Sequence, residues 1–237
     1  MTVSGIAALN ILNRFARVGI NINGRVETET MLYCAECKMK VCYTGETKIV
    51  PKDCPMANQD IIDKSLEEYK GETKEFARQA ALIESKGYCR WTRVEETIRF
   101  CKAMNYHKIG LAFCIGLRKE AEILAKIFRS HGFEIISANC KFSKILKEEI
   151  GITENEKVRP GTREVMCNPI GQAMFLNQEG TDINLVMGLC VGHDSLFFKY
   201  SEVLCTVILT KDRALGHNPA AALYCSDGYM KNVYLSD

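Results

Sequence analysis

The sequence predicts an α/β fold, a mainly parallel open sheet with flanking helices, and three observations carry that prediction. Lys108 to Cys114 is a short apolar run suited to a buried strand. Leu117 to His131 follows with Ala121, Leu124, Ala125 and Phe128 on one helical stripe. Phe133 to Ala138 then reads as a second strand. A strand–helix–strand unit of this kind pairs its strands in parallel through a right-handed crossover. The alternation continues with a helix over Asn168 to Gln178, Pro169 in its first turn. A strand over Asp182 to Leu189, a short helix over Ser195 to Tyr200, a strand over Cys205 to Thr210 and a last helix over Asn218 to Tyr224 complete it. Between the second strand and the Asn168 helix, Lys141 to Arg163 is polar, with Gly151, Pro160 and Gly161 marking an irregular loop and Ser143 to Ile150 a helical piece within it.

The chain ahead of His107 reads differently. Residues 1–30 form an arm or extension, with Ile6, Leu9, Leu12 and Phe15 at helical spacing and a polar linker from Asn21 to Thr30. Residues 31–60 are rich in cysteine, and 61–237 combine a helical section with the α/β domain. In the helical section, Ile61, Ile62, Leu66 and Tyr69 share one face, and Phe76, Ala77, Ala80 and Ile83 share another. Thr92 and Glu95 make a capping-box pattern that opens a third helix through Met104, in which Cys101 occupies a core position. This section is expected to cover one side of the sheet.

A chain of 237 residues with 47% apolar and 25% charged residues suits one large domain or a core with a small appendage. A net charge of +2 gives no strong field toward nucleic acid or a membrane surface, so neither partner is expected. No run reaches the length of about 18 apolar residues that a membrane span needs. Gly5 to Leu12 is apolar, but its basic residues, Arg14 and Arg17, come after it, the wrong order for a secretory signal. The expected location is a reducing cytoplasm, where twelve cysteines serve as metal ligands, reactive groups or core residues. A small-molecule or protein partner is expected, and a homo-oligomer is compatible.

The densest chemistry lies in Cys34, Cys37, Cys42 and Cys54, with Pro55 directly behind. Two cysteines two residues apart ligate one ion through a tight turn, and an all-thiolate set suits zinc or an iron–sulfur cluster. The stretch reads as a metal knuckle, and the Cys-Pro ending leans toward iron–sulfur. Free structural thiols and disulfides are the competing readings. A second group lies in the α/β half. Cys114 ends the first predicted strand, Cys140 lies just past the second, Cys190 ends the third, and Cys167 precedes a helix. The carboxyl ends of parallel strands form the usual binding crevice, so these four are expected to converge as a second centre or as reactive thiols. A helix amino terminus favours the thiolate at Cys167. His193 and Asp194 follow Cys190 and are candidates for proton transfer. Lys211, Asp212, Arg213 and His217 follow the last strand.

Several of these stretches are shared with a known family. Cys34-Ala35-Glu36-Cys37, Cys54-Pro55, Met166-Cys167-Asn168-Pro169-Ile170-Gly171-Gln172-Ala173, Gly188 to Phe197, Lys211-Asp212-Arg213 and Gly216-His217-Asn218-Pro219 resemble the motifs of an uncharacterised prokaryotic family, domain of unknown function 1847, to which metal binding is ascribed. The resemblance covers about residues 31–224 and implies metal binding without naming a metal or reaction. Two functions follow as expectations: a metal-binding protein with redox or sulfur-handling chemistry at the sheet edge, or a non-enzymatic module carrying structural zinc as sensor or carrier. Cysteine nucleophilic catalysis through Cys190 or Cys167 ranks third.

Overall fold

The structure is a computed structural model that describes residues 18–20, 26–28, 34–45, 50–51 and 54–234. The helix expected over Ile6 to Phe15 lies outside these residues. The chain divides into two units, 1–75 and 76–237.

In the first unit, Val18–Ile20 (β1) pairs antiparallel with Val26–Thr28 (β2). The expected linker from Asn21 to Thr30 therefore contains a strand, because Val26 and Thr28 are β-formers even among polar neighbours. A 3-10 turn over Cys34–Glu36 is followed by a helical turn, Val41–Thr44 (α1), and by Gln59–Glu68 (α2). The Asn58 side chain caps α2 by accepting from Ile61 N at 3.2 Å.

The second unit holds a four-stranded sheet, all parallel. Its helical section comprises Gly71–Gly87 (α3), counted here from Phe76, and Arg93–Ala103 (α4). The capping box forms as the sequence requires: Thr92 Oγ1 accepts from Glu95 N, and the Glu95 carboxylate accepts from Thr92 N at 2.9 Å. Thr92→Ala is expected to cost about 1 kcal/mol, read as a lower urea midpoint at unchanged slope. Then come Lys108–Phe113 (β3), Arg118–Ser130 (α5), Glu134–Asn139 (β4), Pro169–Glu179 (α6), Ile183–Met187 (β5), His193–Tyr200 (α7), Cys205–Leu209 (β6) and Ala220–Tyr224 (α8). The strand order is β4-β3-β5-β6.

That order fixes the site. From β3 the chain steps outward to β4, then returns across β3 to β5 and continues to β6. Right-handed crossovers place α5 on one face and α6 and α7 on the other. Asn177 of α6 ties the latter pair, its Nδ2 donating to Tyr200 O at 2.9 Å. Between β3 and β5 the connections leave in opposite directions, and the carboxyl ends of these two strands open the crevice of a doubly wound sheet. Beneath it, Ile109, Leu111, Ile183, Leu185 and Val186 are buried with Phe128 of α5, Leu176 of α6 and Phe197 of α7. Cys101 of α4 joins this core at 0% exposure, and burial pushes its thiol up to about 12, so it is inert packing.

The segment between β4 and α6 is more ordered than its composition suggests. The helical piece expected over Ser143 to Ile150 is reduced to a 3-10 turn, Lys147–Ile150. Leu146 bridges Val165, Lys147 pairs with Glu164, and the nearly buried Lys157 ammonium meets Glu148 at 2.6 Å and Glu154 at 2.7 Å. Paired charges replace the helical bonds. The excursion closes on itself and returns the chain to β4, where Asn168 N donates to Cys140 O at 2.8 Å.

Candidate thiol site at the sheet edge

Four features of the fold deliver cysteines to the carboxyl edge. Cys114 follows β3 and Cys140 follows β4 directly. Their segments are locked by Cys140 N donating to Phe113 O at 3.0 Å. Cys167 is brought to Cys140 by the Asn168 bond just described. Cys190 lies three residues past the end of β5, in the turn that enters α7, rather than at the strand end itself.

The local sequence of α6 explains its placement. Asn168 is the N-cap, its Oδ1 accepting from Gly171 N at 2.8 Å, and Pro169 sits where a missing N–H costs nothing. A side chain at Gly171 would place its Cβ 2.7 Å from the Asn168 amide, so the cap requires glycine there. Gln172, one residue on, is fully buried and donates through Nε2 to Ala138 O at 2.6 Å and to Phe113 O at 3.3 Å. It clamps the ends of β3 and β4 directly beneath Cys114 and Cys140.

Cys140 is the centre of the group, with its thiol in hydrogen-bond contact with those of both Cys114 and Cys167. Those two contacts, then burial, push the Cys140 thiol far up, against a single opposing bond from Ile115 N at 3.4 Å. Cys140 therefore keeps its proton. The Cys114 thiol is held well below the usual range, first by the Cys140 hydrogen bond, then by Gly116 N–H and the Lys211 ammonium, whose Nζ lies 3.4 Å from its sulfur, and against the effect of burial. Cys167 is drawn down to about 5, first by the Cys140 hydrogen bond, with burial opposing, and then by the charges of Lys141 and His193. One thiol proton serves one acceptor at a time, so Cys114 and Cys167 share a single donor. Cys190 stands against Arg213, whose Nη2 lies 3.0 Å from its sulfur.

The proton-transfer candidates divide. His193 is the first residue of α7, and its charge acts on Cys167. The Asp194 carboxylate accepts from Ser195 N at 2.8 Å, within its own helix turn. His217 is occupied in a turn, its Nδ1 accepting from Asp212 N at 3.2 Å. Lys211 and Arg213 were visible only as polar residues after the last strand. Their reach to the sulfurs, Lys141 beside Cys167 and the Gln172 clamp were missed. The adjacency of Lys141 to Cys140 is the one sequence signal that could have marked it.

In the first unit, Cys37 N donates to Cys34 O at 3.3 Å, which closes a tight turn between the paired cysteines. Cys42 lies in α1, and Cys54 is the N-cap of a 3-10 turn over Pro55–Ala57. Cys34 and Cys42 are exposed, and Cys37 and Cys54 are half-buried. Thiolate donors in a tight turn suit a soft metal. Among the described residues, however, no group of three or more His, Cys, Asp or Glu side chains is arranged to hold a metal ion, here or at the sheet edge. The sheet-edge thiols are arranged as contacting pairs beside cations. Among the described residues no helix is long and apolar enough to cross a membrane.

Fold and site together define an α/β protein with an open parallel sheet and a cysteine-lined carboxyl edge. The family described as "Protein of unknown function (DUF1847)" matches residues 54–208. The chain is 50% identical over 201 residues, 84% of its length and 97% of the relative's, to the uncharacterized protein MJ0455 of Methanocaldococcus jannaschii. The chain belongs to this family.

Proposed function

We propose that this is a metal-binding cytoplasmic protein whose chemistry, redox or sulfur-handling in kind, runs on the thiols of the sheet edge. The observation that carries the reading is the convergence of three cysteine-bearing segments at the carboxyl edge, joined by Cys140 N to Phe113 O and Asn168 N to Cys140 O, with Lys211 against Cys114 and Arg213 against Cys190. Thiolates, not thiols, are the nucleophiles of sulfur chemistry, and cationic surroundings are what keep a thiolate at neutral pH. His193 is available to move a proton at Cys167, and Asp194 supports the start of its helix. A reducing cytoplasm suits reactive thiols of this kind.

The metal belongs to the amino-terminal knuckle, with Cys34, Cys37, Cys42 and Cys54 as ligands to one zinc ion or iron–sulfur cluster. Bound there, the group would fix a short segment that has little core of its own. The optical spectrum after anaerobic purification separates the metals, since zinc is colourless. Elemental analysis of Cys37→Ser is expected to show a clear loss of metal per chain. Unchanged stoichiometry removes the knuckle.

A non-enzymatic module with structural zinc is the second reading, favoured by the closed turn between Cys34 and Cys37. Alkylation of the full chain, followed by peptide mapping, decides between the two. Rapid labelling of Cys167 at pH 6 supports sheet-edge chemistry, and its absence leaves the module.

A further inference from the structure

We propose, resting on the thiol reading above, that the sheet edge exchanges with disulfides: Cys167 meets the incoming disulfide and Cys140 resolves it, leaving a Cys140–Cys167 disulfide. The assignment stands on access and contact. Cys167 is half-buried and so reachable, whereas Cys140 and Cys114 are 3% and 6% exposed. The Asn168 N to Cys140 O bond at 2.8 Å brings the backbone beside Cys167 against that of Cys140, and the two thiols are hydrogen-bonding neighbours. Hydrogen-bonded neighbouring segments lie about 5 Å apart, within the range of about 4.4–6.8 Å between alpha carbons that a disulfide spans. Segments at that spacing are compatible with a bridge between them. The Cys190 sulfur stands instead against Arg213, whose Nη2 lies 3.0 Å away in the segment after β6.

The third thiol has a task in the same scheme. The Cys167 thiolate attacks one sulfur of a substrate R–S–S–R, its S–S bond breaks, and RS⁻ leaves to be protonated by water. Cys140 then gives its proton to the Cys114 thiolate, with which it is already in contact, and its sulfur attacks Sγ of Cys167. The second RS⁻ leaves. Two cysteines are oxidised by two electrons and the substrate is reduced to two thiols. Lys211, 3.4 Å from Cys114, keeps that sulfur anionic and so available as an acceptor, while making it a weak base. Only a small share of Cys140 is therefore thiolate at any moment, and this resolving step is the slow one. Attack by the thiolate through a mixed disulfide is the general course of such exchange.

The test uses the full chain, reduced and then incubated without oxygen with oxidised glutathione or, separately, with insulin as a protein disulfide. After an acid quench and alkylation, peptides are mapped by mass spectrometry. A Cys140–Cys167 linked peptide is expected as the main product with at least one of the two, and which one identifies the source of the substrate. Cys140→Ser is expected to accumulate the mixed disulfide at Cys167 at least tenfold above the parent chain, and Cys167→Ser to leave Cys140 unmodified. A stable mixed disulfide at Cys167 in the parent chain, a Cys114–Cys140 link in place of the expected one, or modification confined to exposed Cys89 and Cys225 overturns the proposal. The parent-chain map stands even if a variant misfolds. If Cys167 alkylates rapidly at pH 6 yet no link forms, exchange is wrong and the thiol reading survives. If it does not alkylate, both fall.

Discussion

Alkylation of Cys167 by iodoacetamide is expected to run at a nearly constant rate from pH 6 to pH 8. Free cysteine, with a pKa of about 8.5, slows about tenfold for each unit below that value. The sign follows from the environment. The Cys140 hydrogen bond, and behind it Lys141 and His193, stabilise the charged form, so the Cys167 pKa falls to about 5. The thiolate is then fully populated above pH 6 and is lost only as the pH drops through 5. At pH 6 the gain in thiolate fraction over free cysteine is of the order of 10²-fold. Nucleophilicity falls with pKa, which offsets roughly a factor of 30, so the net advantage is nearer tenfold. The flat profile, rather than the absolute rate, is the diagnostic, because partial burial scales the rate without bending the curve. Cys140→Ala removes the largest contributor and is expected to restore a rising profile. A parent-chain profile that tracks free cysteine would remove the case for a poised thiolate.

Gly110→Ala is expected to destabilise the second unit by roughly 2–6 kcal/mol, the sum of overpacking and buried hydrogen-bond terms. Gly110 lies in the central strand β3, in register with Asn184 of β5. A Cβ there would fall 1.9 Å from Asn184 Oδ1 and 3.1 Å from Leu176 Cδ1. Asn184 is fully buried and cannot move freely. Its Oδ1 accepts from Thr181 Oγ1 at 2.9 Å, and its Nδ2 donates to Ser201 Oγ at 2.9 Å. The methyl group must displace an amide that ties the start of β5 to the end of α7. Denaturant unfolding is expected to show a large fall in midpoint, and Gly110→Ala with Asn184→Ala to cost less than the sum of the single changes. Additive costs would mean that the contact does not exist.

The order of elements was legible because the sequence alternates periods. Runs of the β3 kind, without a polar residue from Ile109 to Phe113, can be buried only from both faces, and the α5 stripe can cover only one of those faces. The capping box at Thr92 and Glu95 and the cap at Asn168 are local chemistry, set by residues three apart, and local chemistry survives in any tertiary setting. The shortfalls have the opposite character. Ser143 to Ile150 carries helix-forming residues, but the excursion gains more from pairing Lys147 with Glu164 and Lys157 with Glu148 and Glu154 than from helical bonds. Those partners are up to 17 residues away, beyond any periodic signal.

By itself the sequence determined that parallel strands would end near Cys114 and Cys140 and that a helix would begin after Cys167, since strand and helix limits are written in nearest neighbours. Only the tertiary structure decided which sulfurs meet. The order β4-β3-β5-β6 places the segments after β3 and β4 side by side, the closed excursion returns Cys167 onto Cys140, and the loop after β6 swings Lys211 and Arg213 against sulfurs 97 and 23 residues earlier. Contacts over such separations depend on strand order, and strand order is chosen by the packing of whole faces rather than by any short stretch of chain.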